Sequence, residues 1–159
     1  MRRLLMLLAL VLVGGLIGSS AAQAAKPHYI SGPACVQTSS TTLSCSGKVA
    51  GLGSLPLFVV VNAPAGCTTQ SGSNNPPGQA NFISGPFTPS NGQFTFGPGT
   101  GNDVTASAGP CPGTQTAFIT NENVTITLYS CSSGSPTFNA KTGAQTNRNC
   151  TVALGPTGA

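Results

Sequence analysis

The stretch Val124-Thr125-Ile126-Thr127-Leu128-Tyr129 alternates apolar and polar side chains up to its final aromatic residue. In an extended chain successive side chains point to opposite faces, so Val124, Ile126 and Leu128 share one face. Thr125, Thr127 and Tyr129 share the other, which predicts a strand with one buried side and Tyr129 as an exposed aromatic. A second stretch, Leu57-Phe58-Val59-Val60-Val61, has no polar face at all. It predicts a central strand covered on both sides. Pro56 stands before it, at a strand start where a missing N–H is tolerated.

Working outward, shorter strands are expected over 42–49, 93–96, 117–120 and 151–154. Asn91-Gly92 is a turn dipeptide, because both residues accept positive φ, and it predicts a reversal between Phe87-Thr88 and Gln93-Phe94-Thr95-Phe96. Gly51, Gly53, Ser133-Gly134 and Thr142-Gly143 punctuate the rest. Residues 68–78 and 97–112 read as polar loops. No helical stripe interrupts the series after the first two dozen residues. Short strands with turns between them predict an all-β chain, an antiparallel β-sandwich or barrel. An immunoglobulin-like sandwich is the commonest solution at this size.

Residues 1–24 read as a cleavable signal peptide. Arg2 and Arg3 form a positive start, residues 4–17 an apolar segment, and Ala22-Gln23-Ala24 a small-residue cleavage site. Gly14, Gly15 and Gly18 break the apolar run, which falls short of the ~20 residues of a membrane span. No later stretch is long enough to anchor the chain, so no membrane insertion is expected after cleavage. The expected location is secreted and extracellular, or periplasmic in a host with an outer membrane. Residues 25–159 are one domain by length.

All six cysteines, Cys35, Cys45, Cys67, Cys111, Cys131 and Cys150, fall within 25–159. An even number in an exported chain reads as a disulfide framework with fifteen possible connectivities. The favoured pairing is sequential: Cys35–Cys45, Cys67–Cys111 and Cys131–Cys150. The loops so closed are worth about 3, 4 and 3 kcal/mol by loop-closure entropy. The last pair poses a parity problem. Cys150 falls on the face of Val152 and Leu154, expected to be the core face, and Cys131 on the face of Thr125 and Thr127. A bulge or strand end near Ser130 would reconcile them; otherwise the pairing differs.

The arrangement Gly51-Leu52-Gly53 before an apolar strand, then Cys67, Asn75-Pro76-Pro77-Gly78-Gln79, Asn91-Gly92 and Cys111-Pro112, resembles a loose set of small secreted bacterial proteins with no assigned activity. The resemblance spans residues 48–112. It implies a β-rich extracellular module in which Cys67 pairs with Cys111, and it carries over no catalytic residue.

Charge and chemistry narrow the function. Outside residues 1–24, Lys26, Lys48, Lys141 and Arg148 face Asp103 and Glu122, a net +2 with His28 neutral. So small and scattered a charge offers no footprint for nucleic acid or anionic lipid. Proton-transfer chemistry needs a positioned titratable group. Asp103 and Glu122 read as solvated turn residues, and His28 as an exposed residue near a chain end. No enzyme activity is expected, and no catalytic, cofactor or metal residue is assigned. Asn102, Asp103, Asn121, Glu122 and Asn123 are oxygen-bearing but lack the repeated spacing of a calcium loop. Asn123-Val124-Thr125 and Asn149-Cys150-Thr151 match the glycosylation acceptor pattern. Phe58, Phe94, Phe96, Phe118 and Phe138 read first as core residues.

The leading expectation is a non-catalytic secreted module acting by contact, in adhesion or envelope structure, on an extracellular or envelope partner. The alternative is an extracellular carrier that sequesters a small apolar ligand, similar in outline to the apoproteins of enediyne antibiotics. A third reading is an inhibitor presenting residues 68–78 as a tied loop.

Overall fold

A computed structural model describes residues 26–69 and 78–159. The expected signal peptide and most of the 68–78 loop lie outside the described residues. Nine strands form among those described: β1 His28–Ser39, β2 Thr42–Ala50, β3 Leu57–Thr68, β4 Gly78–Phe87, β5 Gln93–Phe96, β6 Val104–Ser107, β7 Thr116–Ile119, β8 Thr125–Cys131 and β9 Cys150–Gly158. They make two antiparallel sheets packed together, as the all-β reading requires.

In the first sheet β2 is central. It pairs β1 on one edge, with β5 against its later half and β6 against its earlier half on the other. In the second sheet β3 is central. It pairs β4 on one side, and on the other β8 against its first half and β7 against its last residues. β9 closes that sheet beside β8. In each sheet, therefore, two collinear pieces share one strand position. With each collinear pair taken as a single broken strand, the first sheet has the order 1-2-5 and the second 4-3-6-7.

The break between β7 and β8 explains how Pro64 sits inside a central strand. A strand residue points its N–H and C=O toward the same neighbour. The Pro64 carbonyl accepts from the Thr120 N–H at 3.0 Å, inside the β7–β8 interruption. The donor that proline lacks thus faces a place where the ladder is already broken. At the same end the two sheets are stitched directly. The Ile119 N–H donates to the Ser40 carbonyl at 2.9 Å, and Gln37 Nε2 donates to the Ile119 carbonyl at 2.9 Å.

Between the sheets lies the main core, with Leu43, Val49, Phe94, Phe96, Val104 and Ala106 from one side. Leu57, Val59, Val61, Ile119, Val124, Ile126 and Leu128 come from the other. Gly47 on β2 stands opposite Phe96 on β5, and the Phe96 ring lies over it. A Cβ on Gly47 would meet that ring at 2.7 Å, so glycine is the condition for burying the phenylalanine. Asn91 and Gly92, at φ 50° and 70°, form the expected two-residue turn, with Ser90 and Gln93 exchanging both backbone bonds. The turn does not join two long paired strands, however. β4 belongs to the second sheet and β5 to the first, so it serves a crossing between sheets.

The strands over 42–49, 57–61, 93–96, 117–120, 124–129 and 151–154 are all present, 93–96 with the expected ends and the others with shifted ones. Three corrections follow. β1 has no counterpart in the sequence reading, because Gly32-Pro33 interrupts its alternation; the pairing with β2 slips between Ser31 and Ala34. β4 likewise has no counterpart among the expected strands. The expected 97–112 loop contains β6, whose Val104 and Ala106 are fully buried.

The disulfides are Cys35–Cys45, Cys67–Cys111 and Cys131–Cys150, the sequential set. Two of them join residues directly opposite on neighbouring strands, at Cα separations of 4.1 Å. Cys67–Cys111 ties the end of β3 to the β6–β7 connection. The parity problem resolves by a bulge, placed in β9 rather than near Ser130. Leu128 pairs Leu154 but Tyr129 pairs Val152, leaving Ala153 extra. Beyond the bulge Cys150 and Val152 turn to the outer face with Cys131, and Val152 is 54% exposed instead of facing the core.

Tyr29 on β1 packs against the main core, and its hydroxyl is buried with no hydrogen-bond partner. Burial pushes its ionisation up to about 12. Folding therefore favours the protonated phenol. That stability is complete below pH ~10 and declines as pH rises towards 12, while the unfolded chain ionises first. Tyr29→Phe is expected to weaken this alkaline loss, read by denaturant titration at pH 9 to 12. At neutral pH the variant should gain about 1 kcal/mol, since an unpaired hydroxyl leaves the interior. Gly47→Ala should cost about 1–3 kcal/mol in the same assay by overpacking Phe96.

Candidate functional site

The outer face of the second sheet is apolar where most sandwiches are polar. Phe58 and Val60 on β3 and Tyr129 on β8 point outward there, joined by Cys131 and Cys150. The connection between β8 and β9, residues 132–149, folds back over this patch. The disulfide at its base brings both ends of the connection to one point.

Local hydrogen bonds give the connection its own shape. Ser132 N–H donates to the Asn149 carbonyl at 2.9 Å, and the Thr146 N–H donates to the Thr137 carbonyl at 2.7 Å. Asn147 Nδ2 donates to the Ser135 carbonyl at 2.8 Å. At the tip, Asn139 Oδ1 accepts from the Lys141 and Thr142 N–H groups at 2.9 and 3.1 Å. This is the Asx turn that asparagine favours. Pro136 is fully buried, and Phe138 meets the edge of Tyr129 with ring centroids 5.8 Å apart.

Tyr129 is therefore buried beneath the connection, which corrects the expectation of an exposed aromatic on that face. Burial raises the ionisation of its hydroxyl. The same packing covers the outward side of β3, so the strand is buried on both faces as its composition requires.

Where the tip overhangs the sheet, it leaves a cleft of about 430 Å³. One wall is the sheet, with Asn62 on β3 and Gln79 and Asn81 on β4. Asn62 and Asn81 are cross-strand partners, and Asn62 Nδ2 donates to Asn81 Oδ1 at 2.9 Å. The other wall is Phe138 and the turn from Asn139 to Gly143. Among the described residues, Lys141 is the one ionisable group in the lining. Amides donate and accept hydrogen bonds but move no protons near neutral pH, so this lining is suited to holding a ligand.

Residues 132–149 and the pair Asn62–Asn81 were not singled out in the sequence. A signal was present in Gln79-Ala80-Asn81-Phe82, where amides occupy alternate positions and small or aromatic residues the others.

The residues weighed for chemistry lie elsewhere. Asp103 is exposed just before β6 in the first sheet, and Glu122 is exposed in the turn before β8 in the second. His28 begins β1, exposed and paired opposite Ala50, with its Nδ1 2.9 Å from the Lys26 carbonyl oxygen. Asn102 is engaged structurally, since its Nδ2 donates to the Thr95 carbonyl at 2.9 Å. Among the described residues, no three His, Cys, Asp or Glu side chains cluster as a metal would require. Beside Cys67, residues that include Ala65, Ala80, Phe82 and Pro110 line a shallower cleft of about 240 Å³.

Compared with protein-family models, curated proteins and solved structures, the chain finds no match.

Replacing Cys131 and Cys150 together by serine should free the base of the connection. The expected cost is about 3 kcal/mol by loop-closure entropy. Limited proteolysis should then cut first within residues 132–149, and hydrogen exchange should rise there before it rises in β3.

Proposed function

We propose that this protein is a secreted, non-catalytic contact module built on an immunoglobulin-like sandwich. The reading rests on the amide-lined cleft beneath the β8–β9 connection. It is a structured recess with polar groups converging from two walls and no carboxylate or histidine among them. Its chemistry favours holding a partner over transforming one. The three disulfides fit an oxidising, extracellular compartment. The low, scattered charge fits recognition by hydrogen bonding and shape.

The orders 1-2-5 and 4-3-6-7 support the immunoglobulin-like reading. They give seven strand positions in a three-plus-four sandwich, with the chain crossing between sheets after the second, fourth and fifth. The fourth position lies beside the third, whereas in constant-type domains it lies in the other sheet. The cysteines also depart from the antibody pattern. Cys45 on β2 and Cys131 on β8 each pair with a neighbour in their own sheet, and no bond spans the two sheets' centres.

The carrier reading asks for an apolar cavity, and small-ligand sites occupy ≈ 300–1,000 Å³. The apolar-lined cleft beside Cys67 is about 240 Å³. The cleft beneath the β8–β9 connection has amide walls, which favours the contact reading.

The test is co-sedimentation of the disulfide-intact protein with envelope material from its own host, alongside analytical ultracentrifugation. Retention on the envelope or reversible self-association is expected. A protein that stays strictly monomeric and leaves the envelope fraction empty would overturn the proposal.

A further inference from the structure

We infer that the cleft between the β3–β4 amides and the 138–143 turn is a binding site for a neutral, polyhydroxylated ligand, a glycan chain. The inference rests on the contact-module reading and names the chemistry of its partner.

Sugars present hydroxyls in fixed directions together with apolar C–H faces. They are held by side chains that both donate and accept, supported by an aromatic surface. Asn62 and Asn81 are set side by side by strand register and oriented by their mutual hydrogen bond. An amide carries two N–H donors and a carbonyl with two lone pairs. A pair joined through one donor and one acceptor thus keeps capacity for several hydroxyl contacts. Gln79 stands on the same face two residues before Asn81 and extends the row.

The opposite wall is equally fixed. Asn139 locks the turn through its two backbone contacts, and Phe138, which lines the cleft, is held by Tyr129. Both walls stand on disulfide-anchored or sheet-registered backbone, so little ordering cost remains for a ligand to meet. At about 430 Å³ the cleft lies within the range of small-ligand sites. With no carboxylate in the lining and a single exposed lysine at the tip, the site matches uncharged hydroxyls better than an ionic group.

Isotope-labelled, disulfide-intact protein is titrated by NMR with cellohexaose, chitohexaose and maltohexaose up to millimolar concentration. At least one should shift the Asn62, Gln79 and Asn81 side-chain amides and the Phe138 backbone. The double variant Asn62→Ala/Asn81→Ala should weaken that sugar at least tenfold. Gln79→Ala, at an exposed position, should weaken it severalfold with the wild-type spectrum otherwise kept. No shift with any of the three, or shifts confined to the first sheet, would overturn the inference.

Envelope co-sedimentation separates an envelope glycan from a free sugar. Parallel loss of hexasaccharide and envelope binding in the variants makes the ligand an envelope polysaccharide. Hexasaccharide binding without envelope retention keeps the inference for soluble glycans and removes the envelope role. Envelope and hexasaccharide binding that both survive in the variants leave the contact module standing and overturn the glycan site.

Discussion

β3 sets the terms for the rest of the molecule. Its first five residues are all apolar, and an extended strand divides them between two faces: Leu57, Val59 and Val61 inward, Phe58 and Val60 outward. A two-sheet sandwich covers one face of each sheet and leaves the other to water. An outward Phe58 and Val60 would then stand in solvent, at ≈ 1.5–3 kcal/mol for each side chain so exposed. The chain meets this with the 132–149 connection, laid over the outer face through Pro136 and Phe138. The Cys131–Cys150 bond holds its base, and the Ala153 bulge turns Cys150 to the side where Cys131 can reach it. Bulge, disulfide and covering connection all answer one composition in one strand.

The cleft is a by-product of that cover. Phe138 reaches down to Tyr129, and the turn that follows stands opposite Asn62 on β3 and Gln79 and Asn81 on β4. Beyond Val60 the outward residue of β3 is Asn62, so the apolar patch ends two residues after it begins to be covered. From there the facing surfaces are amides on the sheet and the Asx turn above. The connection that seals the apolar part therefore also forms one wall of the cleft over the polar part. The cover over the apolar patch and one wall of the cleft belong to the same eighteen-residue connection, and its disulfide anchors both.

The sheet architecture was legible in the sequence because it rests on local alternation. Val124 to Tyr129 and Leu57 to Val61 declare their faces by period alone, and Asn91-Gly92 declares its turn by φ. β1 and β6 were not legible. β1 carries Gly32-Pro33 inside it, which a local reading takes as a break, yet β2 supplies partners on both sides of the slip. β6 is four residues within a Gly- and Pro-rich segment, and its strand character comes from pairing with β2. The six cysteines were legible as a disulfide framework and the sequential pairing was the favoured one of fifteen, but the structure decides it, since one extra residue in β9 inverts the face of Cys150.

The candidate site escaped the sequence reading for a different reason. A search for chemistry looks for carboxylates, histidines and free thiols, and this chain has almost none to offer. Asn62 and Asn81 are nineteen residues apart and ordinary in isolation. They acquire meaning as registered neighbours under a connection that begins fifty-one residues after the second of them. Tyr129 shows the same dependence on distant partners. By parity it belongs to the outer face, and that is where it lies. What parity cannot report is that Phe138 comes down on top of it, so the outer face at that point is interior. In a sandwich with a covered back, facing outward and being exposed are separate properties, and the second is set by segments far along the chain.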